Sequence, residues 1–165
     1  MSKKSGREGS QQEITFLPSD KSLGYLLAAT QRLHSRVLQV HVAGDEVPAG
    51  VWVFLRTLWE EDGLTQRQIS QRVNIQEAAT GVALEKLERA GLVRRSRNEV
   101  DRRKINVSLT EHGRELGQDL LPKIHSLTDR MLVGFEDFEA AQLLSYLVRV
   151  RNNLLKITKD TDKPD

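Results

Sequence analysis

The chain has 165 residues, which is one domain's worth, with 38% hydrophobic and 29% charged residues. Its 25 Lys and Arg against 23 Asp and Glu leave a formal charge of only +2, so the whole-chain balance barely argues for a polyanionic partner and the distribution of charge argues better. The absence of cysteine excludes a disulfide framework, a thiol nucleophile and a cysteine metal site, and suits a reducing cytoplasm; no apolar run approaches the roughly 20 residues of a membrane span.

The first fifteen residues, MSKKSGREGSQQEIT, are polar and lack the apolar stretch of a signal peptide; they read as a disordered tail. A first helix is expected over 21–42, capped by Ser19 or Asp20, with Leu23, Leu26, Leu27, Leu33, Val37 and Val40 at helical spacing. A second is expected over 48–60, with Pro48 in its first turn and Trp52, Leu55 and Trp59 on one face.

Residues 64–110 carry the most specific pattern. Thr65 can cap a helix bearing Ile69 and Val73, and Asn74 can end it in the left-handed conformation. A helix over 76–90 should bury Thr80, Ala83, Leu84 and Leu87, with Gly91 just past its end. Leu92 and Val93 read as one short strand. Residues 104–109, where Ile105, Val107 and Leu109 alternate with Asn106 and Ser108, read as another. Six basic residues fall in the eleven from Arg94 to Lys104, at the tip between the strands. Two short helices followed by a basic hairpin make a winged helix-turn-helix, whose second helix fits a DNA major groove. Thr110 can then cap a long helix that carries Leu116, Leu120, Ile124, Leu127 and Met131, is kinked at Pro122 and ends at Gly134. A last helix is expected over 137–157.

The segments LTQRQIS, LEKLERAGLVRR and DRRKINVSLTEHGRE resemble the MarR-type (multiple antibiotic resistance regulator) family of bacterial transcription factors, and VPAGVWVFLRTL resembles its second helix. The layout fits from Leu23 to Leu155. The resemblance implies a mainly α fold: a winged helix-turn-helix with a small β-hairpin wing, and long N- and C-terminal helices forming a dimerisation region. The expected division is a tail at 1–18, dimerisation helices at 19–45 and 110–157, a DNA-binding region at 47–109 and a polar tail at 158–165. Leu-rich terminal faces that the small head leaves uncovered call for a two-fold partner. A homodimer would present two recognition helices about 34 Å apart to a pseudo-palindromic operator in double-stranded DNA. The implied protein is a DNA-binding regulator, a repressor modulated by a small aromatic or phenolic effector or its thioester, cytoplasmic and nucleoid-associated.

On this layout Thr65, Gln66 and Arg67 anchor phosphate at a helix start. Gln76, Glu77, Ala78, Ala79, Gly81, Val82 and Lys86 face the major groove. This departs from the family, where many relatives place Ser, Thr and Arg at the positions of Ala78, Ala79, Gly81 and Val82. Hydrogen-bonded readout should therefore be sparse, leaning on methyl contacts and DNA shape. Arg103 matches the family's minor-groove arginine and Asp101 its tip-orienting aspartate; Arg95, Arg97, Arg102 and Lys104 are phosphate candidates. The resemblance also implies an effector site, for which Arg32, His34, Arg36, His41 and Trp52 are candidates, arginine for a carboxylate and tryptophan for an apolar wall.

His34 and His41 lie two helical turns apart, too far to share a metal ion. No phosphate loop or Ser-His-Asp pattern appears, so no cofactor, metal or catalytic group is expected and the chain does not read as an enzyme. The other reading is a winged-helix module whose basic wing meets an acidic partner protein.

Overall fold

The computed structural model describes residues 18–44, 46–48 and 50–161; most of the expected N-terminal tail and the end of the C-terminal one lie outside them. By contacts the chain divides into residues 1–37 and 38–165.

In the first unit a 3-10 turn, Ser19–Lys21, precedes helix α1, Leu23–Leu38. Neither Ser19 nor Asp20 caps α1. They are taken up in the 3-10 turn, and the extended Ser22 accepts the Tyr25 N–H at 3.4 Å. Leu23, Tyr25, Leu26 and Leu33 are exposed along α1.

The second unit contains a π turn over Gln39–Ala43, closed by Gly44 at φ +54°. The Gln39 side-chain amide donates to the Gly44 and Val47 carbonyls at 2.6 and 3.1 Å, satisfying acceptors just beyond that turn. Helix α2 covers Trp52–Glu60 and starts four residues later than its expected Pro48. Gly50 holds φ +78°, which interrupts helical propagation, and Pro48 only closes a turn with Val51. Phe54, Leu55 and Leu58 are the deeply buried positions of α2, while Trp52 and Trp59 are half-buried and meet edge to face at 5.3 Å.

Helix α3, Gln66–Val73, opens on a capping box. The Thr65 hydroxyl accepts the Gln68 N–H at 3.2 Å, and the Gln68 side chain accepts the Thr65 N–H at 2.9 Å. Asn74, at φ 53°, turns the chain into helix α4, Glu77–Arg89. Thr80, Ala83, Leu84 and Leu87 of α4 are buried, as their spacing implies. Gly91, at φ +71°, sits where the Leu92 N–H closes on the Leu87 carbonyl and its own N–H on that of Glu88, a Schellman ending.

Strands β1, Val93–Arg97, and β2, Ile105–Leu109, pair antiparallel from Val93↔Leu109 to Arg97↔Ile105. The first strand is longer than its apolar residues suggest, because Arg94, Arg95 and Arg97 continue the ladder. Backbone pairing is indifferent to side-chain charge where the side chain stays at the surface. The Val107 N–H also reaches the Leu64 carbonyl at 2.8 Å, which seats the hairpin against the start of α3.

Helix α5, Glu111–Met131, is capped by Thr110, whose hydroxyl accepts the Gly113 N–H at 3.0 Å and donates to the Gly91 carbonyl at 2.6 Å. It runs through Pro122 to end at Leu132, and Gly134 with φ +89° leads toward helix α6, Asp137–Thr161. Residues 158–161, expected in the polar tail, belong to α6.

The α2–α5 contact is close. The Trp59 indole donates to the Gly113 carbonyl at 2.8 Å, and a Cβ on Gly117 would lie 2.7 Å from that indole nitrogen. A Cβ on Gly113 would lie 2.1 Å from the Leu92 carbonyl oxygen. Gly117→Ala is expected to cost about 1–3 kcal/mol in urea unfolding. Gly113→Ala should cost more, because a backbone carbonyl cannot swing aside as an indole can.

Candidate nucleic-acid interface

The outer face of α4 is nearly bare. Gln76 at its N-cap and Glu77, Ala78, Ala79, Val82 and Lys86 are exposed, and Gly81 is half-buried. Gln66 crosses from α3, its amide donating to the Glu77 carbonyl at 3.4 Å and lying 3.2 Å from where a Gly81 Cβ would stand. Small residues at 78, 79 and 81 therefore leave a helix surface whose backbone another molecule can approach closely.

Two side chains shape the wing tip. The Asn98 carbonyl oxygen accepts the N–H groups of Val100 and Asp101 at 3.0 and 2.9 Å, and its amide donates to Asn106 at 3.1 Å. One Asp101 oxygen accepts the backbone N–H of Arg103 at 3.2 Å and its guanidinium Nε at 3.1 Å; the other lies 3.5 Å from the Lys104 ammonium. Hydrogen bonds from the Arg103 side chain, then from its backbone, hold the Asp101 carboxyl below its ordinary range. The aspartate thus orients an arginine whose side chain remains 91% exposed. Arg97 and Arg102 are exposed as well.

Arg95 behaves differently. It turns back onto α4, its backbone N–H and Nε donating to Glu88 at 3.0 and 2.8 Å, with Glu85 at 3.8 Å. Its side chain is only 24% exposed. The expectation that it meets phosphate has to be set against this commitment, which makes Arg95 a strut between wing and helix.

Thr65, Gln66, Arg67, Glu77, Asp101, Arg103 and Lys104 come together around one polar cleft of about 960 Å³ between the start of α3, the start of α4 and the wing. The remaining outward residues of α4 and the other wing arginines lie outside its lining. Gln68, Gln71, Asn98 and Asn106 also line the cleft, although the sequence reading did not select them. Asn98 carried a legible signal, since Asn often folds its side chain onto the backbone two residues on. Asp62, just past the end of α2, carries no comparable local signal. It accepts the Leu109 and Gly63 N–H groups, both at 2.8 Å, and pairs with Arg114 at 3.3 Å, tying the end of β2 to α5.

Of the effector candidates, Arg32, His34 and Arg36 lie on α1, Arg32 and Arg36 exposed and one turn apart, His34 partly covered. His41 is exposed in the π turn, and Trp52 is committed to its edge-to-face contact with Trp59. Among the described residues no group of three or more His, Asp or Glu is placed to hold a metal ion.

The Arg95 hydrogen bond to Glu88, foremost among several influences, lowers the Glu88 pKa from its usual value. A carboxylate with a depressed folded-state pKa contributes stability that is complete above its unfolded pKa, about 4.3, and is lost as pH falls through the folded value. Glu88→Gln should therefore lower stability at neutral pH and flatten the acid limb of the curve below about pH 5, as read by thermal melts across pH.

The sequence model described as "MarR family" matches residues 49–105. The HTH-type transcriptional regulator YwhA of Bacillus subtilis, itself uncharacterised, is 30% identical over 128 residues, covering 78% of this chain and 86% of YwhA. The solved structure of the regulator PcaV of Streptomyces coelicolor with its natural ligand overlays with a TM-score of 0.75 at 23% identity, covering 84% of this chain and 98% of PcaV. That of Bordetella bronchiseptica BpsR, whose DNA binding is regulated by 6-hydroxynicotinic acid, overlays with a TM-score of 0.68 at 24% identity, covering 79% and 98%. At those identities the two overlays bear on fold alone; the YwhA match and the family model make this chain a member of the MarR family of DNA-binding transcriptional regulators.

Proposed function

We propose that the protein is a homodimeric repressor that holds a pseudo-palindromic operator and releases it on binding a small aromatic acid. The observation that carries the DNA half of this reading is the polar cleft. It sets Arg67 at a helix start beside Arg103 and Lys104 on the wing, next to a recognition helix stripped of bulk. Thr65, Gln66 and Arg67 hold one stretch of phosphate backbone, with the α3 N-terminus contributing. Helix α4 enters the major groove from Gln76 to Lys86, its Ala and Val side chains against thymine methyls. Arg103, aimed by Asp101, enters a narrow minor groove, with Arg97, Arg102 and Lys104 on phosphates.

Residues 47–109 form the reading head, and the helices of 19–45 and 110–157 form the dimer. Support for the dimer comes from apolar side chains that stand in solvent: Leu23, Leu26 and Leu33 on α1, and Phe138, Leu144, Leu147, Leu154 and Ile157 on α6. Exposed rows of this kind mark protein interfaces. The proposed effector class is taken from that of BpsR, whose DNA binding is regulated by 6-hydroxynicotinic acid, a heteroaromatic carboxylate. Arg32, His34, Arg36, His41 and Trp52 are the proposed contacts. A cytoplasmic, nucleoid-associated location is part of the proposal and rests on the DNA binding; among the described residues no helix is long and apolar enough to cross a membrane.

The deciding experiment is selection of duplexes from a random pool, with and without aromatic acids and their thioesters, alongside sedimentation of the free protein. A dimer that enriches two inverted half-sites about one helical turn apart, with enrichment lost in one of the acids, is expected. A monomer, or a pool left unenriched, would rule the reading out. Arg103→Ala should weaken operator binding by about 1–3 kcal/mol. Arg95→Ala should leave the salt dependence unchanged, because its guanidinium faces Glu88 and releases no counterion; a shallower slope in that variant would return Arg95 to the phosphate set.

A further inference from the structure

Helix α4 carries three acidic residues, Glu77, Glu85 and Glu88. Two are matched with arginine: Glu88 with Arg95 at 2.8 Å, and Glu85 with Arg95 at 3.8 Å and Arg89 at 3.5 Å. The third is not. Glu77 is exposed, and its carboxylate has no ion pair or hydrogen bond with any described residue, although Arg67 lines the same cleft. It stands at the leading end of the helix, beside the bare surface of Ala78 and Gly81. A free carboxylate on a face that must approach a polyanion repels every phosphate it meets. That repulsion is offset, and turned to sequence preference, when the carboxylate accepts from a donor on the DNA, and in the major groove the donors are the exocyclic amines of cytosine and adenine. Adenine sets an N7 acceptor beside its amine, facing any carboxylate that approaches; cytosine sets none on its own ring.

We infer that Glu77 is a specificity-determining residue that accepts a hydrogen bond from cytosine N4 in each half-site. This rests on the major-groove placement of α4 proposed above. Glu77 then acts in two directions. It rewards one base, and it penalises the sequence-blind backbone contacts that a surface with so many arginines would otherwise favour.

Duplex selection from a random pool with the full-length wild type, Glu77→Ala and Glu77→Gln tests this, with urea unfolding of all three as a control for their folding. Wild type is expected to require cytosine at one position per half-site, preferred roughly 10-fold over the other bases. Glu77→Ala should lose that preference and bind random duplex more tightly than wild type does. Glu77→Gln should move the preference to adenine, since a side-chain amide pairs with adenine N6 and N7 together. If Glu77 serves only to complement the dipole of α4, both variants will be less stable yet select the wild-type motif at every position; that result overturns the inference and leaves the DNA reading intact. A wild-type motif without cytosine at the position that the variants alter overturns it equally. A wild type that enriches nothing overturns both.

Discussion

One contact between backbone and ring fixes how the winged helix-turn-helix meets the long helix that leaves it. The Trp59 indole lies on α5 where Gly113 and Gly117 present no side chain, and it is bonded to the Gly113 carbonyl. On the opposite side Gly113 sits against the Leu92 carbonyl, which also accepts the Thr110 N–H at 3.0 Å. Thr110 in turn bonds Gly91, the residue that ends α4. The end of α4, the base of the wing, the start of α5 and the end of α2 are thus joined through hydrogen bonds that all end on main-chain carbonyls. Interiors packed at this distance respond to a push by moving as blocks, because there is no slack to absorb it locally.

The second theme is how charge is arranged in a chain whose sum is only +2. Most acids near the wing are turned inward on a cation. Glu88 and Glu85 hold Arg95, Asp101 holds Arg103, and Asp62 holds Arg114. Surface pairs of this kind add little stability, so their value here is geometric. Each fixes the direction of a long, flexible side chain, and in the case of Arg103 it leaves the guanidinium outward. A positive face is made in this way by orientation, without an excess of basic residues.

Much of this was legible in the sequence because short-range chemistry announces itself. Thr65, Asn74, Gly91 and Thr110 each carry a local signal for starting or stopping a helix, and each does so in the fold. The buried stripe of α4 follows from its spacing alone. What escaped the sequence depends on other signals or on partners far along the chain. Pro48 looked like a first-turn proline until Gly50 broke the path. Arg94 to Arg97 looked like tip because charge masks a strand whose pairing lies in the backbone. Arg95 looked like a free cation, since nothing in linear order says that Glu88, seven residues earlier, will stand beside it. Nothing near Gly113 or Gly117 in linear order says that Trp59, more than fifty residues away, lies on them.

Both tryptophans of the chain fall in α2, with their rings 5.3 Å apart and one of them hydrogen-bonded to α5. The protein therefore carries a built-in optical probe at the joint between its head and its long helix. Ultraviolet emission, with no dye attached, reports chiefly on that joint, and whatever shifts α5 against α2 will register there as a change of colour or brightness.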